Sequence, residues 1–354
     1  MSMETFRIDV PQADLDDLHH RLDHTRWPAE IPGAGWDYGV PSRYVRELAE
    51  RWRHGYDWRR TEARLNAYPQ FRTVIDGQSI HFLHARSAAP DALPLILTHG
   101  WPGSVAEFLD VLEPLRERFH LVVPSLPGFG FSGPTTERGW NVTRIARAWA
   151  SLMRELGYDR YGAAGNDWGS SISPQVARVA PEAVVGVHVT QLWTEPAGPI
   201  DDPTPEEQAA LDNHAWLAEN LNAYAVVQSQ QPQSLAYALT DSPVGLLGWH
   251  CLIYREGVDA DYVLDNVSIH WLTGTAGSAM RIYRESHLES PPPAWPHTGV
   301  PVGYAQFADD YQPIRRLAPA VSQWKKYDKS GHFSAAQTPE LLVADITGFF
   351  DNLK

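Results

Sequence analysis

Cysteine is nearly missing from this 354-residue chain: Cys251 is the only one. That excludes a disulfide framework and a cysteine-based metal cluster, and leaves a single half-buried thiol in the interior as the expectation. Basic residues are also short, with Lys+Arg 29 against Asp+Glu 43, a formal net charge of −14. A surplus of that sign disfavours nucleic acid or an anionic membrane as partner. No stretch is apolar enough to span a bilayer, and the start, Met1-Ser2-Met3-Glu4-Thr5-Phe6-Arg7, has neither a basic n-region nor an apolar h-region, so no membrane anchor and a cytoplasmic location are expected. There is no internal repeat or low-complexity tract. What remains is an ordinary globular composition, 43% hydrophobic and 20% charged, on a chain long enough for one large core plus an insertion.

Residues 1–70 read as an N-terminal meander with little core of its own. Pro11 opens a short helix with Leu15, Leu18 and Leu22 on one face, and Tyr44 to Arg53 looks helical. Its Trp, Tyr and Pro content suggests a segment wrapping over another domain. Residues 71–194 carry a hairpin turning at Asp76-Gly77, an apolar strand from Leu93 to Thr98, and strands near His120 to Val123 and Val184 to Val189. Asn141 caps a helix carrying Ile145, Trp149, Leu152 and Leu156. Strands alternating with helices predict a mostly parallel sheet covered on both faces. Residues 195–292 change to helices and loops without a clean strand, as in an inserted helical lid, with Pro291-Pro292-Pro293 at its exit. Strands return in residues 293–354, near Val300 to Phe307 and Val321 to Tyr327, before a final helix from Thr338-Pro339.

The centre of this plan is Gly165-Asn166-Asp167-Trp168-Gly169, between a strand and a helix. Strand, glycine, reactive residue, glycine, helix is the nucleophile elbow of α/β-hydrolases, here with aspartate where serine is usual. A carboxylate nucleophile attacks an sp³ carbon and becomes an ester. The bland alternative is an aspartate capping the next helix. His332, in Ser330-Gly331-His332-Phe333 after the last strand, stands where a base belongs, and Asp309 or Asp310 where the acid orienting it belongs. The loop His99-Gly100-Trp101-Pro102 follows an early strand, so the Trp101 and Trp168 amides are the expected oxyanion donors. Phe131, Trp193 and Trp249 are candidates for an apolar substrate pocket, each also readable as core. No histidine spacing suggests a metal.

These motifs, together with Arg26-Trp27-Pro28, Ile80-His81-Phe82-Leu83-His84, Pro127-Gly128-Phe129-Gly130-Phe131-Ser132 and Leu239-Thr240-Asp241-Ser242-Pro243-Val244-Gly245, resemble those of microsomal-type epoxide hydrolases over most of the chain. The resemblance implies an α/β-hydrolase fold with a mostly parallel central sheet flanked by helices, an inserted helical cap and an N-terminal meander. It implies Asp167 as nucleophile, His332 as base, Asp310 rather than Asp309 as acid, and Tyr224 and Tyr283 as cap tyrosines that polarise the epoxide. It implies a small apolar epoxide as substrate, a vicinal diol as product, and no metal or organic cofactor. Xenobiotic detoxification and natural-product chemistry fit equally, and a homo-oligomer is left open. The alternatives are a haloalkane or haloacid dehalogenase using the same aspartate, and a non-catalytic homologue that binds a hydrophobic ligand. Three departures stand out: Asn166 and Ser330 replace usual glycines, and Ala308 replaces a usual proline.

Overall fold

The computed structural model describes residues 3–194, 196, 198–289 and 299–353. Nine strands form one sheet: β1 (Glu4–Phe6), β2 (Gln70–Ile75), β3 (Gln78–Ala85), β4 (Leu93–Thr98), β5 (Phe119–Pro124), β6 (Tyr161–Gly165), β7 (Val184–Val189), β8 (Val302–Gln306) and β9 (Val321–Lys326). Their order is β1-β2-β3-β5-β4-β6-β7-β8-β9. From β5 to β9 every pair is parallel, whereas β1, β2 and β3 pair antiparallel and β3 meets β5 antiparallel. This is the α/β-hydrolase fold expected from the sequence.

Period-two alternation decides which side each strand residue covers. Ile96, Val122, Ala163 and Val187 belong to one core cluster with Ile145, Trp149 and Leu152 of the helix Val142–Glu155. Their neighbours Leu95, Leu97, Leu121, Val123 and Ala164 belong to the other, with Leu342, Ile346 and Phe350 of the last helix, Pro339–Asp351. Asn141 caps the first of these helices as expected, its Oδ1 accepting from Arg144 N at 2.9 Å.

The N-terminal segment holds the two expected helices and adds a strand and a third helix. It supplies β1, which adds to the sheet edge, and three helices, Gln12–Asp23, Ser42–His54 and Trp58–Asn66. Trp52 and Leu48 join a third core cluster with Leu246, Leu264 and Val267 of the lid. Trp52 Nε1 donates to Ser268 Oγ at 2.9 Å, and Arg51 forks onto Asp261 at 2.8 and 2.9 Å. The segment is therefore a strap between sheet and lid. Within residues 195–292 the lid is helical as expected, from Pro205–Asn220 to Arg281–His287. The expected exit at Pro291-Pro292-Pro293 lies outside the described residues.

Candidate active site

The strand ends converge. Thr98 of β4 is level with Gly165 of β6, and Gly165 with Val189 of β7, so the loops that follow open at one end of the sheet. A bridge between Asp309 and Gly331 draws the loops after β8 and β9 together.

At the elbow the unusual backbone falls on Asp167 itself, with φ of 52°. A non-glycine residue there stores strain, and the surroundings must impose it. The glycines serve close approach. A Cβ on Gly165 would lie 2.4 Å from Gly169 backbone, and one on Gly169 1.9 Å from Thr98 O. The helix Trp168–Val179 thus starts hard against β4. Asp167 occupies the N-cap position without capping through its side chain, which removes the bland reading. Its Oδ1 instead accepts from Trp101 N at 2.8 Å, and its own N–H donates to Gln191 Oε1 at 2.5 Å. A Cβ on Gly100 would come within 2.0 Å of Oδ1, so the loop after β4 reaches the carboxylate only because residue 100 is glycine.

His332 stands between two carboxylates. Its Nδ1 is 3.2 Å from Asp310 Oδ1, and its Nε2 is 3.5 Å from Asp167 Oδ2 without forming a directed hydrogen bond. Burial pushes the imidazole pKa down, but the charges and bonds of Asp310 and Asp167 more than offset it and hold it well above the usual value. The two carboxylates therefore favour the charged form of the ring. Asp310 also accepts from Tyr311 N at 2.8 Å and from Gln191 Nε2. Asp309 is exposed, its N–H donating to Ser330 O, so the geometry separates the two acids. Ser330, in a usual glycine position, has φ of 68°.

Tyr224 (helix Ala223–Gln230) and Tyr283 (helix Arg281–His287) meet from opposite ends of the lid, their rings 5.9 Å apart and nearly perpendicular. Tyr224 stacks on Trp101 at 5.1 Å and Tyr283 meets Trp168 edge-on at 4.8 Å. Burial, and after it the Asp167 carboxylate for Tyr224, raises the phenol pKa; Tyr283 is raised in the same direction, by burial first. Both are thus neutral donors. All five residues expected to do chemistry, and both expected amide donors, lie in this one region.

The substrate-pocket expectations fare less well. Phe131 is a correction: it packs against Phe6 of β1 and His81, at 5.8 and 5.1 Å, inside the sheet-edge core. The added strand β1 is what claims it. Trp193 is 40% exposed against Tyr311, and Trp249 donates its indole N–H to Gln228 Oε1 at 3.0 Å. Cys251 is fully buried rather than half-buried, and burial pushes its thiol up to about 12.

Two residues of the site have no counterpart in the sequence expectations. Gln191, just after β7, joins the Asp167 backbone to Asp310. Glu107 is buried beside the elbow, its Oε1 accepting from Asn166 Nδ2 at 2.7 Å, while Asn166 Oδ1 accepts from Thr190 Oγ1 at 2.6 Å. A lone acid inside Val105-Ala106-Glu107-Phe108 is the signal that points to the second.

Two family models match the chain, one described as the epoxide hydrolase N terminus over residues 3–108 and one as the alpha/beta hydrolase fold over residues 94–253. A putative epoxide hydrolase of Stigmatella aurantiaca is 40% identical, covering 99% of this chain and 85% of the relative. The chain belongs to the epoxide hydrolase family. Epoxide hydrolase 1 of Oryctolagus cuniculus is 28% identical, over 98% of this chain and 88% of its own length. The structure of Aspergillus niger epoxide hydrolase superposes with a TM-score of 0.90 at 31% identity, covering 100% of this chain and 97% of that one. The juvenile hormone epoxide hydrolase of Bombyx mori gives 0.87 at 27% identity, over 99% and 95%. Among the described residues no helix is long and apolar enough to cross a membrane, and no group of three or more His, Cys, Asp or Glu side chains is placed to hold a metal ion.

Proposed function

We propose that this epoxide hydrolase turns an apolar epoxide and water into a vicinal diol through an ester on Asp167. The observation that carries the reading is an elbow carboxylate with one oxygen held by an amide and the other facing an imidazole. Oδ2 attacks a ring carbon. The carbon–oxygen bond breaks, its electron pair goes to the ring oxygen, and Tyr224 or Tyr283 supplies the proton. A phenol is acid enough because the alkoxide is far more basic.

Ester formation then changes the electrostatics of the base. In the resting site two carboxylates favour the imidazolium. Once Asp167 is an ester, one of those charges is gone and His332 falls back toward neutrality. The proton it sheds through solvent balances the one taken from the phenol. Neutral His332, oriented by Asp310, now deprotonates water for attack on the ester carbon. Oδ1 becomes the oxyanion, already at the Trp101 N–H, with the Trp168 N–H as second donor. Collapse releases the diol bearing Oδ2, and no metal or organic cofactor takes part.

A single turnover in ¹⁸O-labelled water tests the route. The first diol should carry oxygen from Asp167, with label left in the protein. Label in the first-turnover diol overturns the covalent route in favour of direct water attack.

A further inference from the structure

The first lid helix, Pro205–Asn220, buries little besides Glu207 and Ala210. A helix with so small an apolar face is held by its polar contacts, and these fall on β9 and on the connection from β8 to β9 that carries Asp310. Glu207 forks onto Arg316, and Glu206 pairs with Lys326 of β9. Further along, Asn213 Oδ1 accepts from Gln312 N at 3.2 Å, and His214 Nε2 donates to Gln312 O at 2.7 Å. The His214 ring also stacks on Tyr311, with centroids 4.3 Å apart and planes 11° from parallel. The lid thus takes both backbone groups of Gln312. Its side chain works in the other direction. Nε2 donates to Asp310 O at 2.8 Å and lies 3.1 and 3.3 Å from Ala308 O and Phe307 O, while Oε1 accepts from Gln306 Nε2 of β8. Three carbonyls of the acid loop are gathered round one amide. Ala308 stands where a proline would fix the backbone, so this loop is stiffened by side-chain bonds instead. Asp310 comes directly before the clasped pair, its Oδ1 accepting from Tyr311 N at 2.8 Å and lying 3.2 Å from His332 Nδ1.

Resting on the covalent reading above, we infer that His214 and Gln312 are positioning residues: together they clasp the lid to the Asp310 loop and so aim the base of ester hydrolysis. Asp310 can orient His332 only as well as its own backbone is fixed. Gln312 fixes that backbone from inside the loop, and His214 fixes Gln312 from the lid, with the Tyr311 ring as a second point of hold. His214 Nε2 faces a carbonyl, so it is a protonated ring nitrogen and the donor. The clasp bears on Asp310, whereas the nucleophile is held at its Oδ1 by Trp101 N, and the two phenols rest on Trp101 and Trp168. It therefore divides the reaction. Ester formation draws on Asp167 and the phenols, and ester decay on a well-aimed His332. Without the His214 bond, Tyr311 and Gln312 can shift, and Asp310 with them.

The test follows ester growth and decay in single turnovers of a styrene-like epoxide, read by rapid quench and mass of the protein, with steady-state kinetics alongside. His214→Phe keeps a ring to stack on Tyr311 and removes the donor to Gln312 O. A displacement near 1 Å costs about 10²-fold, so for a smaller shift ester decay should slow about tenfold while ester formation stays within about twofold of native. Once decay limits turnover, kcat and KM then fall together and kcat/KM holds. His214→Gln, whose amide can reach the same carbonyl, should recover the decay rate. Unchanged decay in His214→Phe overturns the proposal, as does a fall in formation and decay alike that His214→Gln does not repair. Should His214→Phe fail to fold, Asn213→Ala removes the acceptor for Gln312 N and is read in the same way: slowed decay alone supports the clasp, and unchanged decay overturns it. The covalent reading fails by a different sign, ¹⁸O label in the first-turnover diol of the native protein.

Discussion

Gln191→Leu removes one side chain and separates two halves of the site. Gln191 is fully buried. Its Oε1 takes the Asp167 N–H at 2.5 Å and the Ser170 hydroxyl at 3.1 Å, and its Nε2 donates to Asp310. Leucine fills much of the same volume, so the loss is polar. Ser170 keeps its bond to Gly165 O at 3.0 Å and needs no replacement. The Asp167 N–H is stranded in the interior, which costs about 1–3 kcal/mol. Asp310 loses a donor to its charged carboxylate, worth about 1.5–3 kcal/mol, though Tyr311 N remains. The sum is about 4 kcal/mol, and it falls on the two backbone segments that aim nucleophile and base.

Part of that loss should appear as a melting temperature lower by about 5 °C or more, and part as misaim. Asp310 gripped at fewer points lets the imidazole swing, and a displacement near 1 Å costs about 10²-fold. We expect kcat to drop by about 10- to 100-fold, with ester decay slowed more than ester formation. Gln191→Glu is the companion: it keeps an acceptor for Asp167 N but sets a carboxyl against Asp310. Its activity should recover toward acid pH, where the new carboxyl holds a proton to donate. A Gln191→Leu variant that melts lower yet keeps kcat within about twofold of native would refute the reasoning and leave Gln191 as scaffold only.

Other outcomes are as specific. Tyr224→Phe and Tyr283→Phe keep the rings that pack on Trp101 and Trp168, so each should lower ester formation by about 10²-fold without a change in melting temperature, and the double variant should abolish it. Halide release from a haloalkane that survives the double change would instead favour dehalogenase chemistry. Gly100→Ala forces a methyl into the Asp167 carboxylate oxygen, so ester formation should vanish in single turnovers, whereas Gly248→Ala, whose Cβ would meet only Val45 at 4.0 Å, should react normally.

The layered sheet was legible because buried parallel strands are short apolar runs, and β4 and β7 are that in sequence. The elbow and the loop before His332 were legible because their glycines are spaced by chemistry. β1 was not: three residues carry no alternation, and Glu4–Phe6 is a strand only because β2 offers it an edge. The helix Trp58–Asn66 was hidden for a similar reason. Its apolar side, Trp58 and Leu65, is sparse, and the polar Thr61 and Glu62 are buried there through partners far along the chain. Phe131 was misread because β1 is what covers it. Gln191 was invisible because a buried polar side chain is defined by its partners, here Asp167, Ser170 and Asp310 from elsewhere in the chain, and Glu107 showed only as a lone acid in an apolar run.

The strap explains why the lid can be so precise. Tyr224 and Tyr283 enter from separate helices, yet both rest on the tryptophans whose amides flank Asp167. On the proposed route, a swinging lid would carry the phenols away from the developing alkoxide with every opening. Here the N-terminal helices grip the lid at Trp52, at Arg51 and at Tyr44, whose hydroxyl donates to Tyr254 O at 2.9 Å, while β1 ties the same segment to the sheet. The lid is thus anchored to the sheet along two routes, through the strap and through the aromatic contacts at the elbow. On the proposed route, ring opening asks for hydroxyls held still near one carboxylate, and a doubly anchored lid would supply that.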